Sequence, residues 1–589
     1  MTKSSKHLST SPMSDSLWGH KWGFTDTRLK INSDRSVTMT GHRYPLAGYK
    51  MPYLLPHIEA SFAIKIDADD CLHPVEYPNL PAPKQHPEFC QAITDQFSAN
   101  QYSFETGARL LHSHGQTTFE EVYQVLYGTL ERFVDMVFYC ESTTDAQRLI
   151  ELAITHNICL IPFGGGTSVS CALKLPPGET RMIVSVDMKR MNQIEWIDTH
   201  NLRACVQAGI TGKQLETELR KKGFTCGHEP DSLELSTLGG WIATNASGMK
   251  KNRYGNIEQI VEKITLLTPA GVLEQIHPIT RVSMGMQLQS LLFGNEGNLG
   301  LITSAVIKIH PVPDVTSYGS LIFPNFEQGS QFLYALTHSG VIPASIRLVD
   351  NHQFRFGQAL KPGVSGWQAY LEKLKKFYVL KLRGFDSQKM VAATIVMEGT
   401  ATEVAWQQKH INRLAKQYQG LATGAENGRR GYMLTYAIAY LRDFLTAHYI
   451  LGETFETSVP WSKIQQVCSG VEQQLQDLHR KFDLPGQPYL SYRISQVYHT
   501  GVCVYFTFGI YVKGVETPAA ICSQIERALR QTIIDNGGSI SHHHGVGKIR
   551  QDFMKDTLSG ASIKLLRQLK QASDPQNIFG ICNNIFTKN

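Results

Sequence analysis

Apolar and polar positions along this chain follow two different periods, and the change from one to the other divides it. Residues 133–139, apolar except for Asp135, and the continuous apolar run 158–161 are both of strand length. Between them Leu149, Ile150, Leu152, Ala153 and Ile154 recur at helical spacing, behind Thr144 and Gln147, which read as a capping box. The pattern predicts a strand, a helix from about 144, and a second strand that ends on Pro162-Phe163-Gly164-Gly165-Gly166-Thr167-Ser168. Strands are predicted again at 182–186 and 204–208, a helix at 212–222 and a β-rich run at 302–309, an α+β or α/β organisation. Pro311 and Pro313 mark a boundary. Beyond it, strand-like 321–323 and 391–397 alternate with helical 326–338 and 402–418, which predicts an antiparallel sheet covered by helices. In the β-rich stretch 489–512, Val502, Val504, Phe506 and Phe508 fall on one face and Cys503, Tyr505, Thr507 and Gly509 on the other. Tyr505 therefore points away from the core. Helices follow at 518–534 and 562–572, and the last segment turns back toward the first sheet region.

Residues 1–125 carry no long periodic segment and are punctuated by Pro74, Pro78, Pro81, Pro83 and Pro87. The aromatic cluster Trp18-Gly19-His20-Lys21-Trp22-Gly23 reads as a packing anchor within this extension. The implied division is an extension over 1–125, a domain over 126–315, a cap over 316–540 and a returning segment over 541–589.

Composition narrows the function classes. A chain of 589 residues exceeds one core, and 42% apolar with 18% charged residues is ordinary for a globular protein. The net charge of +6 is spread rather than massed in an arm, which excludes nucleic acid as the expected partner. Eleven cysteines, odd in number and without a Cys-x-x-Cys pair, point to a reducing compartment and away from a zinc ribbon or disulfide framework. No run approaches the ~18 apolar residues of a membrane span, so membrane contact is expected to be peripheral. The first fifteen residues lack the apolar core of a secretory signal, and Phe586-Thr587-Lys588-Asn589 differs from a Ser-Lys-Leu address. The expectation is a cytoplasmic protein if the source is bacterial and a peroxisomal one if it is eukaryotic.

Three loops carry the chemistry. Gly164, Gly165 and Gly166 leave the backbone unobstructed, so that N–H groups can converge on an anion such as phosphate. The stretch from Gly227-His228-Glu229-Pro230-Asp231 to Thr244-Asn245-Ala246-Ser247-Gly248 is rich in small and hydroxyl residues, which let backbone approach a bulky flat ligand. Leu292-Phe293-Gly294-Asn295-Glu296-Gly297-Asn298-Leu299-Gly300 again brings glycines to a strand start. Such loops in series suggest one extended ligand. Arg347 and Arg442 interrupt apolar neighbourhoods and need an anion, either the adjacent Asp350 or Asp443 or a bound ligand. The run Ser541-His542-His543-His544-Gly545-Val546-Gly547-Lys548, if extended, places His542 and His544 on one side and His543 on the other. Acid/base work or carboxylate binding suits these imidazoles better than a metal, and no metal site is expected.

These residues resemble a known family. The loops at 162–168 and 295–302 resemble the FAD-binding domain of the vanillyl-alcohol oxidase superfamily, the PCMH-type fold. Gly227-His228-Glu229-Pro230-Asp231-Ser232-Leu233-Glu234, Ala246-Ser247-Gly248-Met249-Lys250-Lys251-Asn252, Gly452-Glu453-Thr454-Phe455-Glu456-Thr457-Ser458 and the three-histidine run resemble the alkyldihydroxyacetonephosphate synthase family, from about residue 40 to the C-terminus. The resemblance implies an α+β fold, with a two-subdomain FAD-binding domain and a cap of antiparallel sheet and helices. It implies flavin contacts from Pro162, Phe163, Gly164, Gly165, Gly166, Thr167 and Ser168, and from Asp231, Ser232, Leu233, Glu234, Leu235, Ser236 and Thr237. Thr244, Asn245, Ala246 and Ser247 follow, and then Glu296, Gly297, Asn298, Leu299, Gly300, Leu301 and Ile302. Thr167 and Ser168 stand where a flavin-linking histidine often lies, so the FAD is implied to be non-covalent.

The family reaction belongs to ether-lipid synthesis. It exchanges the acyl group of 1-acyl-dihydroxyacetone phosphate for a long-chain fatty alcohol and releases a fatty acid, through a flavin N5 adduct and without net redox change. Carried over, Tyr505 is the acid/base, His542, His543 and His544 serve the departing carboxylate, Arg442 binds substrate phosphate, and Arg347 is the second sensitive arginine. Peripheral membrane contact and a homodimer are also expected. The rival reading is an FAD-dependent D-2-hydroxy-acid dehydrogenase of the same fold, whose corresponding motif usually reads Glu-His-Gly.

Overall fold

A computed structural model describes residues 16–44, 46–77, 79–363, 366–433 and 438–586. The chain forms two compact units, one from Trp22–His73 and Pro313–Ser539, the other from Gly19–Lys21, Pro74–Val312 and Ile540–Asn589. Residues 1–15, Pro78 and Thr587-Lys588-Asn589, on which the targeting and punctuation readings partly rest, lie outside the described residues.

The Pro74–Val312 unit contains two principal sheets. In one, Met136–Tyr139 and Cys159–Phe163 flank Ile183–Asp187 in parallel, and Tyr102–Ser103 adds an antiparallel edge. Parallel neighbours need a crossover. Helix Thr143–His156 supplies it, burying Ala146, Leu149, Ile150 and Ala153 in a core shared with Phe138, Leu160 and Val184. Its N-cap is Ser142, whose hydroxyl accepts the Asp145 N–H at 3.0 Å, rather than the predicted Thr144. Ser142 still has the extended backbone that a cap requires, whereas Thr144 is already inside the helix.

The second sheet is antiparallel, in the order Gly271–Glu274, Val261–Thr268, Leu301–Lys308, Arg203–Gln207, Ile194–Asp198. Leu215, Leu219, Trp241 and Ile242 from helices Gly212–Lys221 and Leu238–Thr244 fill the core beside Val206, Ile264 and Ala305. One glycine loop leaves the end of Cys159–Phe163 and another enters Leu301–Lys308, so buried strands set the positions of both.

The other unit is built on a seven-stranded antiparallel sheet, in the order Leu421–Ala422, Val315–Phe323, Val391–Gly399, Ser345–Val349, Tyr489–Val497, Gly501–Tyr511, Ile450–Pro460. Helices Phe326–Thr337, Ala401–Gln417, Ile464–Lys481 and Pro518–Asp535 each bury an apolar stripe, including Phe332, Ile411, Val471 and Leu529. Along Gly501–Tyr511, Val504, Phe506 and Phe508 are buried while Tyr505 and Thr507 are only half-buried, as the alternation requires. Cys503 and Gly509 are buried too, so the second face opens only at Tyr505, Thr507 and Tyr511.

Part of the N-terminal extension packs into this unit as strands Leu29–Ile31, Val37–Met39 and Lys50–Met51 with helix Leu54–Phe62. The Phe24 N–H donates to the Tyr440 hydroxyl at 3.0 Å. Gly23, at φ +84°, lies so close that a Cβ would sit 2.2 Å from that oxygen, so only glycine fits. This fastens the extension to helix Ile438–Ala447, which carries Arg442.

Candidate functional site

The glycine loops converge on one region of the Pro74–Val312 unit. A Cβ on Gly165 would lie 2.1 Å from the Leu235 carbonyl oxygen, and one on Gly164 would lie 2.5 Å from Thr237 Oγ1. The first loop is thus pressed against the second with no room for side chains. Thr237 caps helix Leu238–Thr244, its hydroxyl accepting the Gly240 N–H at 3.2 Å. Gly297, at φ +77°, brings the third loop to Pro162, where its Cβ position is 3.3 Å from the proline ring. The Glu296 N–H donates to the Ala243 carbonyl at 2.8 Å, which joins the third loop to helix Leu238–Thr244 just before the 244–247 segment. A cradle closed to side chains but lined by backbone suits a pyrophosphate and a flat ring system, so the residues present fit FAD.

The predicted contact residues divide by what they have left to offer. Phe163, Leu299 and Leu301 are buried core residues and offer backbone only. The Ser236 hydroxyl accepts the Trp241 indole N–H at 2.8 Å, and that of Thr244 donates to the Gly240 carbonyl at 2.9 Å. Ser232 and Leu233 form a turn closed by the Leu235 and Ser236 N–H groups on the Ser232 carbonyl, both at 2.9 Å, with Asp231 and Glu234 beside it. Asn245, at φ +52°, ends the helix, and Ala246 and the buried Ser247, which donates to Asn256, follow. Ser168 is tied to the Ala172 N–H at 3.1 Å, downstream of Thr167. Asn298 is fully buried, its Oδ1 accepting the Asn583 N–H at 3.1 Å, and Gly300 packs 2.0 Å, by its Cβ position, from the Leu267 carbonyl, just before Ile302.

The three histidines do not form an extended strand. Gly545 and Gly547, at φ +80° and +52°, fold the segment into a turn. His542 and His543 meet through their Nδ1 atoms at 2.9 Å, and the His543 and His544 ring centroids are 4.5 Å apart. The two-sided arrangement predicted for a strand is replaced by one cluster of imidazoles. A hydrogen bond between the two Nδ1 atoms requires one to carry the proton and the other to offer its lone pair.

His228 is a further residue to which the sequence reading assigns no role. It is 1% exposed, lies 4.6 Å by ring centroid from Trp241, and neither of its ring nitrogens has a hydrogen-bond partner among the described residues. Burial, and secondarily the nearby His543, push its pKa down to about 3. It is a neutral imidazole beside the histidine turn. Its position within a run of small and polar residues is the signal that marks it.

In the antiparallel-sheet unit, register gathers a second set. Tyr505 stands directly opposite Arg493 on one neighbouring strand and Glu456 on the other. The Arg493 guanidinium lies 3.8 Å from the Tyr505 ring centroid, and the phenol donates to Thr454 Oγ1 at 3.1 Å. Val349 pairs with Arg493, so Arg347, two residues along the strand, shares this face. Arg347 is buried and lies 5.8 Å from the Tyr432 ring. Asp350 is not its partner: three residues on, it leaves the strand and caps helix Asn351–Ala359, accepting the Gln353 N–H at 2.8 Å. Burial raises the Asp350 carboxyl to about 7. Arg442 does take its neighbour, with Nη2 2.7 Å and Nε 3.1 Å from Asp443 Oδ1. Arg493 is absent from the sequence reading because its value depends on a register set by a bulge between Ile494 and Gln496.

Comparison with known proteins agrees with this architecture. Residues 134–276 match the FAD binding domain model, and residues 312–582 match the C-terminal domain of FAD linked oxidases. The chain is 41% identical over 567 residues to an alkyldihydroxyacetonephosphate synthase of Caenorhabditis elegans, covering 96% of this chain and 94% of that one. It is 31% identical to one of Dictyostelium discoideum, covering 86% and 82%. A solved alkyldihydroxyacetonephosphate synthase structure superposes with a TM-score of 0.82 at 28% identity, covering 95% of this chain and 96% of that one. With closed glycine loops, a histidine turn and this extent of likeness, the chain belongs to the alkyldihydroxyacetonephosphate synthase family of FAD-dependent enzymes.

Proposed function

We propose that the protein replaces the acyl group of 1-acyl-dihydroxyacetone phosphate with a long-chain fatty alcohol, releasing a fatty acid and forming an ether without net oxidation. The observation that carries this reading is the cluster of His542, His543 and His544 on a turn held against the third glycine loop. A departing carboxylate needs donors or cations where its charge develops, and clustered imidazoles supply both. The loops at 162–168, 231–237, 244–247 and 296–302 would hold FAD non-covalently. When bound, FAD supplies the electrophile that retains the reacting carbon while one substituent leaves and the other arrives.

The chain's own residues carry the remaining steps. Tyr505 moves the proton at the reacting carbon, its ring fixed by Arg493 and its hydroxyl by Thr454. Arg442 presents a forked cation to the substrate phosphate, preorganised by Asp443. Arg442→Lys keeps the charge but loses the fork. We expect KM for the acyl substrate to rise about tenfold with kcat little changed, and an unchanged KM removes Arg442 from phosphate binding.

Both lipid substrates must come from a membrane surface, and helix Gly366–Phe377 suits contact with one. Trp367 is 71% exposed, Phe377 56% and Tyr370 52%, with Leu374 on the same stripe and lysines 373 and 376 exposed beside it. This is the pattern of an interfacial helix. Trp367→Glu combined with Phe377→Glu is expected to weaken sedimentation with phosphatidylserine-containing vesicles by about tenfold or more. Equal binding of the variant and the wild type assigns the helix elsewhere.

The rival dehydrogenase reading is separated by acceptor dependence. Purified FAD-loaded protein is given palmitoyl-dihydroxyacetone phosphate with hexadecanol, or D-lactate with an artificial electron acceptor. Ether formation in the first mixture is the expected result, and turnover only in the second overturns the proposal.

A further inference from the structure

We propose that Glu296 is a positioning residue for this transfer, its carboxylate gripping the backbone of the histidine turn and so setting where His542, His543 and His544 stand. The inference rests on the exchange reading above and adds to it a residue that the sequence points toward the cofactor instead.

The geometry is that of an anion in a backbone nest. Glu296 Oε1 accepts the Val546 N–H at 2.6 Å, and both carboxylate oxygens accept the Gly547 N–H at 3.0 Å. Consecutive N–H groups converge in this way where neighbouring residues alternate in hand, which glycines at positive φ permit. Gly545 and Gly547 do so, and a Cβ on Gly545 would lie 2.4 Å from Glu296 Oε1. Glu296 itself adopts φ +48°, an uncommon conformation for a residue with a side chain. It is 6% exposed, and burial raises its carboxyl pKa against the opposing pull of those N–H groups, Arg550 and Lys548. A strained backbone and a buried acid are costs that a simple loop filler does not require.

The rest of the turn is tied from its other side. Arg550, fully buried, donates to the Gly545 carbonyl at 2.9 Å and to the Val169 carbonyl at 3.3 Å. The Lys548 N–H donates to Ser170 at 2.9 Å. Arg550 therefore fixes the turn to the first glycine loop, and Glu296 fixes it to the third. The three histidines directly precede Gly545 and inherit the placement of both anchors. In Glu296→Gln the volume is kept, but one oxygen becomes an NH2 that faces an N–H donor.

The test uses full-length, FAD-loaded protein. For Glu296→Gln we expect kcat of acyl-for-alkyl exchange to fall about 100-fold while KM changes less than about threefold and FAD content stays stoichiometric. Hydrogen–deuterium exchange should accelerate in the peptide over 541–548 and remain slow over 159–163. Gly545→Ala, which drives a methyl into the carboxylate, should give the same selective loss in kcat, and the double variant should lose no more than either single one. If Glu296→Gln does not fold, Gly545→Ala decides alone by the same criteria. A kcat within about twofold of wild type, or a loss matched by lost FAD, overturns the proposal. A wild-type protein without exchange activity overturns the functional reading. In that case unchanged deuterium exchange at 541–548 in Glu296→Gln independently overturns the grip.

Discussion

Tyr505→Phe is expected to keep its FAD and lose exchange activity by about 10³-fold. The variant removes one oxygen, and the 3.8 Å stack of Arg493 on the ring remains available to hold the side chain in place. Only the hydroxyl, which donates to Thr454 at 3.1 Å, is deleted. A positioned acid/base contributes typically 10²- to 10⁴-fold, which sets the size of the expected loss. The phenol belongs to a sheet separate in sequence from the glycine loops, so FAD content and flavin absorbance should match wild type. Steady-state kinetics on protein of measured flavin content check this. Wild-type kcat in the variant assigns proton transfer to another group.

Gly165→Ala is expected to act on the opposite component, weakening FAD binding by about 10- to 100-fold. Its Cβ would lie 2.1 Å from the Leu235 carbonyl oxygen and 2.8 Å from Ser236 Cα, both backbone atoms that no rotamer change can move aside. The two loops must part to admit a methyl, at a cost of about 1–3 kcal/mol for an overpacked site, which converts to that range of affinity. Gly178 provides the control, since a Cβ there meets nothing within 4 Å. Gly178→Ala should bind FAD as wild type does. Fluorescence titration of apoprotein with FAD measures both, and equal affinity in the two variants places the cofactor away from this loop.

Much of this fold is legible because burial imposes a period. The strand at 159–163, the helix at 143–156 and the alternation along 501–511 follow from apolar positions that must share a face. What escapes the sequence depends on partners distant along the chain. Glu296 sits in a loop that is easily recognised, yet its carboxylate serves residues 250 and 251 positions away. Arg493 gains its place over Tyr505 from a β-bulge that no periodicity signals. The histidine turn is a different case. Gly545 and Gly547 flank Val546, and two glycines at that spacing permit the positive φ angles that replace an extended strand. The separation of Arg347 from Asp350 is equally readable in retrospect: an aspartate directly before a helical stretch is an N-cap, and its carboxylate is spent on the Gln353 N–H. The packing of the N-terminal extension onto helix Ile438–Ala447 rests on Gly23 meeting Tyr440, a long-range fit with no local pattern.

The most direct measurement of the central claim is the stoichiometry of a single mixture. FAD-loaded protein is incubated with palmitoyl-dihydroxyacetone phosphate and hexadecanol in the absence of oxygen and of any electron acceptor, while ether product, free palmitate and flavin absorbance are followed together. The account predicts one palmitate released per ether formed over many turnovers, with the flavin returning to its oxidised spectrum once substrate is exhausted. Palmitate release without ether, or a flavin that bleaches after one turnover and recovers only when an acceptor is added, contradicts it.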